Sequence, residues 1–152
     1  MQAFTIRRGI EDDAASIARL AGELGYSTAV EEMRARIKAV FRSSADLLIV
    51  ATATSGAPVG WLHAHSSQPI ESEFRVEIVG LIVTPTARCA GIGRALVGEA
   101  EQWAASIGAS IIVVRSNITR SESHVFYPAL GYTETKMQRV YRKDLTSNRN
   151  AR

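Results

Sequence analysis

Residues 84–97 read TPTARCAGIGRALV, and the fold is decided by the residues on either side of them. Upstream, residues 74–85 (FRVEIVGLIVTP) make a near-continuous β-branched run that Pro85 ends, the pattern of a central strand. Downstream, residues 93–107 (GRALVGEAEQWAASI) place Leu96, Val97, Ala100, Trp103 and Ala104 on one helical face, and Gly108 caps that helix. Gly91 and Gly93 stand at the junction, one residue apart. With few side chains in the way, successive N–H groups converge there on an anion at the positive end of the helix dipole. The loop predicts a phosphate or pyrophosphate ligand.

Further out, residues 109–117 (ASIIVVRSN) form a second buried strand, reached from the first through the helix, which makes a βαβ unit with a right-handed crossover. Residues 4–8 (FTIRR) are β-prone, and acids 11–13 open a helix in which Ile17, Leu20 and Leu24 recur at helical spacing until Gly25. Tyr26 falls in a helix–helix loop before residues 30–43 (VEEMRARIKAVFRS), whose apolar face holds Met33, Ile37, Val40 and Phe41. From Asp46 the pattern turns to strands: DLLIVATAT and VGWLHAHS flank a turn at residues 55–58, an antiparallel hairpin. A short helix near SESHVFYPALG and a closing hairpin over YTETKMQRVYRKDL complete one domain, residues 1–145, followed by a polar tail, 146–152.

The chain of 152 residues is long enough to bury a core without disulfides or a structural metal. Its single cysteine and three histidines offer no zinc-type cluster, so no metal is expected, and a reducing compartment is. No apolar run approaches bilayer length, and the first thirteen residues, MQAFTIRRGIEDD, lack a signal-peptide core, which points to the cytoplasm and away from membranes. The net charge of +3 is scattered apart from a basic C-terminus. Without a groove-binding motif or interleaved aromatics it does not argue for nucleic acid, though it favours capture of an anionic cofactor.

Glycine loops serve several ligands. A P-loop needs Lys-Ser or Lys-Thr after its last glycine, and Arg94-Ala95 stands here. A dinucleotide loop needs a small residue at Leu96 and an acid where Val113 and Val114 lie. The remaining pattern, Arg88-Cys89-Ala90-Gly91-Ile92-Gly93, resembles the R/Q-x-x-G-x-G/A loop of the GNAT superfamily of N-acetyltransferases. The strand before it, the helix after it, the strand IIVVRSN and the segment HVFYPALGY stand in the superfamily's order and spacing. The resemblance runs from about residue 4 to 145 and is strongest over 76–132.

That resemblance implies an α/β (α+β) fold, a mixed and mostly antiparallel central sheet flanked by about four helices. It also implies acetyl-CoA as co-substrate and direct attack by an amine in a ternary complex. The pyrophosphate would be met by backbone amides from Cys89 through Ala90, Gly91, Ile92 and Gly93 to Arg94. Arg88 either adds charge or caps the strand. The pantetheine would pair with Leu81, Ile82 and Val83, where two strands splay apart and Gly80 helps the strand bulge, with a backbone N–H near Leu81 or Ile82 polarising the carbonyl. Asn117 matches the family asparagine on the pantetheine arm.

Glu77, a lone carboxylate in an apolar strand, matches a family general base, and burial would raise its pKa and suit it to take the amine's proton. Its other reading is an ion pair with Arg75 or Arg115. Tyr127 matches the family tyrosine that protonates the departing thiolate, a role that suits a phenol neutral at pH 7. His124 reads as a helix-surface residue. The family's acceptor-selecting elements here carry Tyr26, Trp61, His63, Glu73 and Tyr132, aromatics beside acids that suit a cationic amine. Each is equally readable as core. The acceptor, a small molecule or a peptide amine, is not identified, and a homodimer is compatible with the resemblance. A different acyl-CoA donor and a non-catalytic acyl-CoA sensor stay open, and DNA binding ranks third.

Overall fold

The computed structural model describes residues 3–88, 90–116 and 119–146. They fall into two compact units, one up to Arg115 and one from Ser116 onward.

The first unit is built on a five-stranded sheet in sequence order: β1 (Phe4–Arg8), β2 (Asp46–Ala53), β3 (Pro58–Ser67), β4 (Arg75–Val83) and β5 (Ile111–Val114). The first four strands pair antiparallel, and β4 pairs parallel with β5. Helices α1 (Ala14–Glu23), α2 (Val30–Phe41) and α3 (Ile92–Ser106) cover this sheet. The hairpin and the βαβ crossover therefore stand where the change of hydrophobic period placed them.

Alternation along the strands sorts the core into two layers. Leu48, Val50 and Trp61 meet Ala14 and Ile17 of α1 and Ile37 and Met33 of α2. Residues of opposite parity face α3, whose Leu96, Val97 and Ala100 are buried, and the space a side chain at Gly60 would take borders Ile92. Leu20, Leu47, Leu62 and Leu96 are fully enclosed, each contributing about 1.5–3 kcal/mol by leaving water.

The second unit contains α4 (Ser121–Ala129). Leu130 closes this helix, and Gly131, at φ 92°, reverses the chain so that its N–H bonds the Pro128 carbonyl. The Tyr132 N–H reaches back to the Tyr127 carbonyl at 3.1 Å, the pair of bonds that defines a Schellman ending. The closing hairpin expected over residues 132–145 is not formed: residues 133–144 carry no strand. Its alternation supplies few apolar side chains, and Met137, Val140, Tyr141 and Leu145 are all exposed. It also has no Asn-Gly or Asp-Gly pair to fix a two-residue turn, and a lone two-stranded ribbon is marginal in water. The tail, from residue 147 on, lies outside the described residues.

One polar contact anchors the start of α1 to β1. Asp13, 4% exposed, accepts bonds from Arg7 Nη1 and Nη2, both at 2.8 Å, and from the Ile10 N–H at 2.8 Å. Burial pushes its carboxyl upward, but the Arg7 and Ile10 hydrogen bonds and the Arg7 charge outweigh it and hold it below the usual range. A carboxyl lowered in the folded state stabilises above its unfolded pKa of about 3.9, and that gain is lost as pH falls through the folded value. Asp13→Ala should therefore cost about 2 kcal/mol at pH 7 and much less at pH 2, read from urea denaturation at the two pH values.

Candidate active site

The site begins with a defect in the sheet. Between His63 and Ala64 the β3–β4 register shifts, so that His63 faces Gly80 while Ala64 faces Ile78. Val79 is the extra residue and stands 49% exposed. A bulge of this kind bends its strand and re-aims the residues beyond it.

Past the bulge β4 loses its second neighbour. Its ladder with β5 runs from Arg75 opposite Ile111 to Ile78 opposite Val114 and ends there. Among the described residues, 79–83 pair only with β3, which leaves one side of the backbone facing away from that ladder. Leu81, Ile82 and Val83 lie on this stretch. Gly80 adjoins the bulge, and its lack of a side chain has a definite cause: a Cβ there would meet the Trp61 ring at 2.7 Å.

The chain then passes through a short 3₁₀ turn, Pro85–Ala87, into α3. Gly91 is the N-cap residue at φ 83°, ψ 8°, the left-handed region that glycine enters freely. Its carbonyl takes the Ala95 N–H at 3.0 Å, the first bond of the helix. The N–H groups of Ile92, Gly93 and Arg94 precede that bond and have no partner within the helix. Ala90 precedes the cap and is partly buried. Arg88 points back along the chain, its Nε donating to the Val83 carbonyl at 3.3 Å, so it caps the strand end. Cys89 lies outside the described residues, as does Asn117.

Glu77 sits on β4, on the opposite side of the bulge. It is neither enclosed nor surrounded by apolar groups: its side chain is 25% exposed and its Oε1 accepts from Arg115 Nη1. Of the two sequence readings the ion pair with Arg115 holds and apolar burial does not, because strand alternation turns Glu77 away from the α3 layer that buries Val76 and Ile78.

Directly across β3 from Glu77 stands His65, and across β2 from His65 stands Asp46. The three form one transverse row. Asp46 Oδ1 accepts from His63 Nε2 at 2.7 Å and from His65 Nδ1 at 3.1 Å. Burial pushes the Asp46 carboxyl up, and hydrogen bonds from Ser43, His63 and His65, with the His65 charge, bring it below its ordinary value. The sequence singled out His63 but neither Asp46 nor His65, although the H-A-H spacing at 63–65 puts both rings on one face.

The other expected acceptor residues lie on different elements. Trp61 packs against Leu20, Ala21 and Ile82 and the α2 residue Met33, with its Nε1 enclosed and unbonded in the protein. Tyr26 is 58% exposed in the α1–α2 loop, and Glu73 pairs with Arg75 at 3.5 Å before β4. In the second unit Tyr127 lies edge-on to Phe126 (centroids 5.0 Å) and to Tyr132 (5.7 Å). Burial pushes its phenol up against the opposing charge of Arg120, which keeps it protonated at neutral pH. His124 is exposed on α4. Among the described residues no group of three or more His, Cys, Asp or Glu is arranged to hold a metal ion, and no helix is long and apolar enough to cross a membrane.

Residues 14–132 match the acetyltransferase (GNAT) family. The chain belongs to that family, the class of acetyl-CoA-dependent N-acetyltransferases. It is 31% identical over 101 residues to aminoglycoside N(6')-acetyltransferase type 1 of Klebsiella aerogenes, an alignment covering 64% of this chain and 66% of that protein's length. The fold matches that of aminoglycoside N-acetyltransferase AAC(6')-Iy, solved with CoA, at TM-score 0.83 and 20% identity over 94% of this chain and 96% of the other. It matches glucosamine-6-phosphate N-acetyltransferase of Arabidopsis thaliana at TM-score 0.81 and 17% identity, over 94% and 100%.

The Trp61–Gly80 contact generates a test. Gly80→Ala must displace the indole from its packing, so stability should fall by about 1–3 kcal/mol, with a change in tryptophan emission. Guanidinium denaturation monitored by fluorescence reads both.

Proposed function

We propose that the chain transfers an acetyl group from acetyl-CoA to a primary amine of a small molecule, by direct attack in a ternary complex. The observation that carries this reading is the unpaired side of β4 at 79–83, a few residues before the Gly91 amino terminus of α3, in a chain of this family. The pantetheine arm, which presents amide groups, would pair with Leu81, Ile82 and Val83 as an added strand. The pyrophosphate would rest on the N–H groups of Ala90 to Arg94, with that of Cys89 beside them, and Asn117 would hold the arm.

The chemistry needs a polarised carbonyl, a neutral amine and a protonated leaving group. A backbone N–H near Leu81 or Ile82 meets the first need. Glu77 meets the second, through the carboxylate oxygen not taken by Arg115, directly or through a water. Tyr127 meets the third: its phenol gives a proton to the sulfur as the carbon–sulfur bond breaks and regains one from solvent.

Acceptors with several ammonium groups suit the acids Glu73 and Glu77 and the exposed Tyr26 ring. The match to an aminoglycoside acetyltransferase favours amino sugars as the first class to screen. His63, Trp61 and Tyr132 would shape the acceptor's surroundings. We read the chain as cytoplasmic, with no metal in the reaction.

Screening acetyl-CoA with a panel of aminoglycosides, polyamines and amino acids, with thiol release as readout, tests the whole reading. CoA release unaffected by any amine would sink it. Gly91→Val places a β-branched residue at φ 83° and should weaken acetyl-CoA binding about tenfold or more, roughly 1.4 kcal/mol, by calorimetry. Tyr127→Phe keeps the ring and its packing, so acetyl-CoA affinity should hold while turnover falls by a factor on the order of 10². Unchanged turnover in the folded variant would remove the phenol from the reaction.

A further inference from the structure

We infer that Asp46 and His65 form a relay that carries the amine's proton from Glu77 to solvent, an inference that rests on the acetyl-transfer reading above. The geometry begins with the tautomers. Asp46, ionised, offers only acceptors, so both imidazoles must donate to it: His63 through Nε2–H and His65 through Nδ1–H. His65 therefore keeps Nε2 as a free lone pair. A base whose second nitrogen is fixed by a carboxylate is the arrangement that makes an imidazole an efficient proton acceptor.

The sheet sets where this base stands. His65 and Glu77 are directly opposed in the β3–β4 ladder, so their Cβ atoms lie about 4.5–5.5 Å apart on one face. The His65 side chain is 45% exposed, against 11% for Asp46, so the row leads from a shielded carboxylate to water. Two neighbouring charged groups have partners of their own. Arg115 pairs with Glu77, and Arg75, two residues before Glu77 on β4, bonds Ser72 Oγ at 2.7 Å and pairs with Glu73. Ser43 and His63 complete the shell of Asp46.

The step balances without a co-reactant. The ammonium N–H bond breaks as Glu77 takes the proton, the freed lone pair attacks the acyl carbon, and the second proton that this nitrogen then sheds goes to solvent as the carbon–sulfur bond breaks, matching the one Tyr127 regains. Glu77 then passes the proton to His65 Nε2, directly or through a water, restoring the carboxylate. The imidazolium, held by Asp46 at Nδ1, releases the same proton from Nε2 to water. His65 thus acts through Glu77 and is a positioning residue with a proton-transfer role.

The relay matters most where the amine arrives protonated. His65→Gln should lower kcat/KM about tenfold near pH 7, and the deficit should close above about pH 9, where free amine predominates. Acetyl-CoA affinity should be unaltered. In His65→Ala, added imidazole should restore part of the rate, which a purely structural role would not permit. A pH profile of His65→Gln that overlays the wild type overturns the relay alone; a wild type inactive with every amine overturns the acetyl-transfer reading and the relay with it. A readout free of turnover is the two-bond ¹H–¹⁵N spectrum of the wild-type protein. It should show His65 as the Nδ1–H tautomer and His63 as Nε2–H, with the His65 assignment lost in Asp46→Asn. His65 found as Nε2–H in the wild type defeats the proposal even if the variants fail to fold.

Discussion

Among the described residues β4 has two ladder neighbours for only four positions. From Arg75 to Ile78 it is held by β3 on one side and β5 on the other, and from Val79 its described ladder partner is β3 alone. A backbone with an unpaired side must bond water or a ligand, since a buried unbonded amide costs several times what a formed bond returns. The bulge at Val79 makes this half-pairing tolerable: the extra residue absorbs the bend, and the β3 register resumes one step later without disturbing Leu62 or Ile82. Gly80 has no side chain because the Trp61 ring occupies that space, so the α1 core and the open strand are fixed by one contact.

The same sheet carries a polar row at its other end. Leu48, Val50 and Trp61 take the cover of α1 and α2, while Asp46, His65 and Glu77 lie further along the strands and retain some access to water. Apolar side chains under helices and polar ones beyond them is what strand alternation produces when the helices are shorter than the face they cover. A transverse row of acid, imidazole and acid then arises from register alone, across residues 19 and 12 positions apart in sequence.

The elements were legible because each carries a local signal: a continuous apolar run in β2 and β4, period two in β3, a helical stripe in α3 and the two glycines before it. The glycine turn into α3 was legible for the same reason, since its residues are contiguous. The illegible part depends on distant pairing. Nothing in residues 43–48 marks Asp46 as the partner of two histidines, because the pairing of β2 with β3 is set by the whole hairpin and a slip of one residue would reverse every face. Glu77 allowed two readings, burial among its apolar sequence neighbours or an ion pair with Arg75 or Arg115; the pair with Arg115 is the one found, because those neighbours point the other way. The hairpin after Tyr132 was inferred from alternation alone, and alternation without apolar mass or a turn residue did not make a ladder.

The groups at the amino terminus of α3 belong to the main chain, and this separates two kinds of inheritance. A donor set made of N–H groups is specified by backbone conformation at Gly91, and most neighbouring side chains can change without altering it. The acidic and imidazole row is specified residue by residue, and a single substitution rewrites it. A lineage built this way can rewrite the row while the main-chain groups at the start of α3 stay in place.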